Sequence, residues 1–74
     1  MTKVVYKRLR KAWGYAYVNL DRIELHNKLK GIKHLEILLH EKLHLLFPDH
    51  DEKAINRMGK DIANVLWKDG YRKI

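Results

Sequence analysis

The apolar residues of this chain change their spacing at Gly31, and that change limits the folds open to it. Ahead of the glycine, three short runs alternate with period two, as strands with one buried face do. In VVYKRL, Val4, Tyr6 and Arg8 alternate with Val5, Lys7 and Leu9; in YAYVNL, Tyr15, Tyr17 and Asn19 alternate with Ala16, Val18 and Leu20. RIELH puts Ile23 and Leu25 on one side, with Arg22, Glu24 and His26 opposite. Beyond NKLKG the period becomes helical: Ile32, Leu35, Leu39, Leu43 and Leu46 recur at three- and four-residue steps until Pro48 stops them. Asp49 or Asp51 can then cap a second helix, with Glu52 in its first turn and Gly70 at its end. Its expected buried stripe is Ile55, Met58, Ile62, Val65 and Leu66, with Gly59 beside it where another element can approach closely. The expectation is a single α+β domain over 1–74. A small antiparallel β-sheet of two to three strands (about 3–26) precedes a helix at about 32–47 and another at about 51–69.

So short a chain buries a modest core and is often held by a staple. With no cysteine that staple is not a disulfide or a thiolate metal site, and a reducing, cytoplasmic setting is expected. The N-terminal MTKVVYKRLRK has no apolar stretch behind its charges, and no segment reaches the ~20 apolar residues of a membrane span. Serine is absent too, so serine and cysteine nucleophiles are both excluded.

Residues 40–44 read H-E-x-x-H on the predicted first helix. At about 100° per residue His40 and His44 sit about 40° apart on the helix and can converge on one ion. Glu41 projects from the neighbouring flank, where it can reach a water on that ion. Two imidazoles leave open positions on Zn²⁺ for a third ligand and a water, and a nearby carboxylate can take that water's proton. Residue frequencies give this pattern about 0.02 chance occurrences in a chain of this composition. Both histidines lie off the predicted core stripe, so the plain alternative is a pair of solvated surface histidines. The third ligand can come from Glu52, His50 or Asp49. His50 stands where H-E-x-x-H-x-x-G-x-x-H places its last histidine, but Phe47 occupies that motif's glycine position.

The stretch HLEILLHEKLHLLFPDHDEKAINRMGKDIANVLWKDGY resembles a group of very small zincin-like proteins of phages and bacteria. They are similar in outline to SprT-like and other H-E-x-x-H metallopeptidases. The likeness extends upstream through GYAYVNLDRIELHNKLKG, roughly residues 13 to 72 in all. The resemblance implies a zinc metallopeptidase with His40 and His44 as metal ligands, Glu41 as general base and the remaining ligand from the 49–52 segment. The D-E-x-A-I pattern at 51–55 points that choice to Glu52 ahead of His50. No Met-turn follows. The expected partner is a peptide or protein substrate.

The formal charge is +7, which suits an anionic partner. Lys7, Arg8, Arg10 and Lys11 precede Trp13, Tyr15 and Tyr17, a mixture fit for weak, non-specific backbone contacts to nucleic acid. Strand alternation with a charged edge explains the same spacing. The alternative function is therefore a basic binding module, for nucleic acid or a host protein, in which zinc is purely structural. His34 is expected on the surface, and Trp67 is expected to pack on the sheet.

Overall fold

The computed structural model describes residues 1–72 and has the α+β order expected: three strands, then two helices. The strands are β1 (Lys3–Lys7), β2 (Gly14–Tyr17) and β3 (Arg22–His26); the helices are α1 (Gly31–Leu46) and α2 (Glu52–Lys68).

The sheet is mixed where an antiparallel one was expected. Its order is β1-β3-β2, with β1 parallel and β2 antiparallel to β3. RIELH takes the centre because, among the described residues, it is the only strand covered on both faces: Ile23 is 1% exposed, Leu25 0% and Glu24 8%. The segment after β1 crosses the end of β3, held by the His26 amide on the Trp13 carbonyl (2.9 Å) and the Asn27 amide on the Lys7 carbonyl (3.0 Å). That crossing makes the first pairing parallel.

YAYVNL does not stay extended. Val18–Leu20 form a 3-10 turn and Asp21 adopts a left-handed conformation (φ 45°), so the chain reverses straight into β3. Val18 and Leu20, expected on the face of Ala16, are 50% and 67% exposed in consequence.

Cα partners across the sheet share a face, so Val4, Tyr6, Ile23, Leu25, Gly14 and Ala16 turn together toward α1. α1 lies between the sheet and α2, which packs mainly on α1. The Asp51 Oδ1 accepts from the Ala54 amide at 2.7 Å and starts α2. At the other end Gly70 (φ 92°) lets its own amide and that of Tyr71 return to the Trp67 and Leu66 carbonyls, at 3.1 and 3.0 Å.

The buried seam of α2 is Ile55, Gly59 and Ala63, narrower than the expected stripe. Ile62 and Val65 are 40% and 64% exposed because α2 has little to pack on but α1. Gly59 permits the close approach foreseen: a Cβ there would sit 3.4 Å from the His40 amide nitrogen. On α1, Leu43 is buried but Leu46, at the helix end, is 56% exposed. Trp67 packs near Gly31 at the start of α1, with the Arg72 guanidinium 4.0 Å over its ring. His34 is half-buried, its Nε2 bonded to the Tyr6 hydroxyl at 2.8 Å. Among the described residues no helix is long and apolar enough to cross a membrane.

Candidate functional site

His40 and His44 are on the second half of α1, one turn apart, with their Nε2 atoms 3.2 Å from each other. The chain then leaves α1 at Phe47 and Pro48, turns, and re-enters a helix at the Asp51 cap. This turn directs Glu52, the first residue of α2, back over the histidines. Its Oε1 is 2.5 Å from His40 Nε2 and its Oε2 is 3.0 Å from His44 Nε2. The Gly59 contact with the His40 backbone keeps the two helices close enough for that reach.

One ligand atom from each of these three residues lies within 4.8 Å of the others, and they form a group able to hold a metal ion. Two ligands of a tetrahedral zinc, each about 2.0–2.1 Å from it, stand about 3.3 Å apart. The imidazole pair already has that spacing, while the Glu52 oxygens stand closer, at hydrogen-bond distance from the two rings. Three atoms that each carry a lone pair also need a proton or a cation among them, so the donor set suits a divalent ion. The residues of the group are half-buried at the histidines and exposed at Glu52.

His50 is not in this group. The turn that delivers Glu52 leaves His50 exposed, its ring 5.0 Å from that of Phe47 and its amide on the Phe47 carbonyl. Asp49 is likewise exposed in the turn and outside the group.

Glu41 points the other way around α1, toward the sheet, and is 9% exposed. Burial pushes its carboxyl pKa up; the neighbouring imidazoles of His40 and His44 oppose that, and Glu52 adds to it. The covering surface is β2. A Cβ on Gly14 would lie 3.0 Å from Glu41 Cγ and 3.1 Å from both Glu41 Oε2 and Ile37 Cγ2. Glycine is thus what lets the strand lie against the glutamate. In the sequence Gly14 stands between two alternating runs, and a glycine opening a strand between Trp13 and Tyr15 is the available signal of a close approach.

A cleft of about 310 Å³ opens where these pieces meet. Gly14, Tyr15 and Ala16 form one wall, the His40, Glu41 and His44 side chains the floor, and Pro48 and Glu52 the far rim. Searches with family models, against curated proteins and against solved structures find no match to this chain.

Proposed function

We propose that the chain is a minimal zinc-dependent hydrolase of the metallopeptidase kind, with His40, His44 and Glu52 as metal ligands and Glu41 as general base. The observation that carries this reading is the meeting of three convergent donors and a separate buried carboxylate on the floor of one cleft. Three donors among the described residues, in place of four, favour a catalytic over a structural site, since a structural zinc is normally closed by the protein.

When bound, Zn²⁺ supplies Lewis acidity that lowers the pKa of water and polarises a carbonyl. The chain's own contribution is positional. Glu41 stands beside the ligands without belonging to their group and can take a proton from water as it attacks a peptide carbonyl. Its raised pKa suits a group that must also return that proton to the leaving amine. The cleft between β2 and α2 holds the peptide. A cytoplasmic setting belongs to the same reading, because a chain without cysteine has no disulfide to gain from an oxidising compartment.

The test is the zinc content of protein purified without chelator or metal-affinity resin, beside His40→Ala and Glu52→Ala. About one zinc per chain, lost in His40→Ala and reduced in Glu52→Ala, is expected. A wild-type protein without zinc, whose melting temperature ignores added zinc and chelator alike, overturns the assignment.

A further inference from the structure

The sheet face turned away from α1 has a chemistry of its own, which meets the cleft only at Tyr15. Along the edge, Trp13, Tyr15 and Tyr17 follow each other at alternate positions, with the Tyr15 and Tyr17 ring centroids 6.4 Å apart. They are 49%, 39% and 38% exposed. Aromatic side chains of a small domain normally supply its core, yet three of them stand in a row outside this one.

Along the opposite edge of the same face lie Lys3 and Lys7, with Arg22 next to them on β3. Glu24 is the only acid in the three strands, and it is already engaged by Arg22 (3.1 Å), Lys7 (3.6 Å) and the Tyr17 hydroxyl (3.2 Å). The face therefore keeps a positive balance. At the end of the strands Arg8 and Arg10 line an open hollow with His26 and Lys28, which carries the positive charge past the aromatic row. His26 in turn sits 5.3 Å from the Trp13 ring.

This pairing of rows discriminates among partners. A second copy of the chain would bring the same positive charge against it and be repelled. An acidic protein would answer the cations but leave the three ring faces without a specific mate. A single-stranded nucleic acid answers both, with phosphates for the cations and a π-face on every base for the rings. We propose that this face is a binding platform for single-stranded nucleic acid. Bases stack on Trp13, Tyr15 and Tyr17, and phosphates lie along Lys3, Lys7, Arg8 and Arg10. The inference uses none of the metal ligands, and Tyr15 is the one residue it shares with the lining of the cleft.

The experiment is fluorescence anisotropy with labelled dT20, rU20 and an abasic strand of the same length, across a salt series. Tyr15→Ala and Lys3→Glu test the platform, and Lys60→Glu, an exposed charge change on α2, is the control. Tyr15→Phe, which keeps the ring, guards against a folding defect. The expected result is that dT20 or rU20 binds at least about tenfold tighter than the abasic strand, consistent with base–aromatic stacking. Tyr15→Ala loses about tenfold, Tyr15→Phe loses little, and Lys3→Glu weakens binding more than Lys60→Glu. A preference between rU20 and dT20 identifies which nucleic acid is the natural one. Equal affinity for the abasic strand, or equal losses in Lys3→Glu and Lys60→Glu, overturns the proposal, since general positive charge alone would then account for binding.

Discussion

Glu24 and Glu41 are hidden to nearly the same degree, 8% and 9% exposed, and behave as opposites. Burial raises the pKa of Glu24, but the Lys7 charge, the Tyr17 hydroxyl and the Arg22 guanidinium together outweigh it and hold the carboxyl below its ordinary value. Burial likewise raises that of Glu41, and there the two imidazoles only partly compensate. One carboxylate lies on the open side of the sheet among fixed cations. The other lies on the helix side against Gly14 and Ile37. Depth alone does not decide what a buried acid does; its neighbours do. Glu24 is held charged among the strands, whereas Glu41 is held where burial favours its protonated form.

The sharpest break in that comparison is Glu41→Gln. On the proposed function, hydrolysis of a peptide substrate should fall by about 10²–10⁴-fold, the usual worth of a general base, while bound zinc stays near the wild-type level. Retained activity in that variant would sink the general-base assignment. Gly14→Ala comes next, because its methyl would press on Glu41 and Ile37 at 3.0–3.1 Å. Overpacking of this kind typically costs about 1–3 kcal/mol, readable as a lower denaturation midpoint. If the alanine variant is as stable as the wild type, β2 does not bear on the glutamate as described.

Glu24→Gln should lower the melting temperature at neutral pH by about a few degrees. A carboxyl with a depressed folded-state pKa contributes stability above its unfolded pKa, and that contribution disappears as pH falls through the folded value. The gap between wild type and Glu24→Gln should therefore close in acid. Glu41 has the reverse sign. Its raised pKa means the folded, metal-free protein holds the proton more tightly than the unfolded chain, so stability declines as pH rises through that window. With chelator present, Glu41→Gln should gain on the wild type from pH 4 to pH 7, the smallest effect of the four. Parallel pH profiles for the two variants would erase the contrast.

Much of this arrangement was readable in the chain itself. Local signals were dependable: the period change at Gly31, the RIELH strand, a helix cap at Asp49 or Asp51 and Gly70 each depend on residues a few positions apart. The H-E-x-x-H spacing put His40 and His44 together for the same reason, and Asp51 determined where Glu52 would enter its helix. What could not be read depended on distant partners. The parallel pairing of β1 with β3 follows from a crossing by residues 8–13 that has no local signature. The narrow seam of α2 reflects how little packs against it beyond α1, which no stripe of apolar residues reveals. Glu24 looked like the polar side of an alternating strand. Only the meeting of Lys7, Arg22 and Tyr17 around it, from all three strands, shows that it is enclosed.

The donors proposed for the metal all come from one short length of chain, since His40 and Glu52 touch across only twelve positions. Closing so small a loop carries little entropy cost compared with pairing β1 to β3. The helical hairpin can accordingly assemble early, ahead of the sheet, and an ion bound there would stabilise it before the cleft has its second wall. On the proposed metal reading, affinity for the ion and formation of the cleft would then be separable stages of folding, the first local, the second dependent on β2 arriving with Gly14 against Glu41.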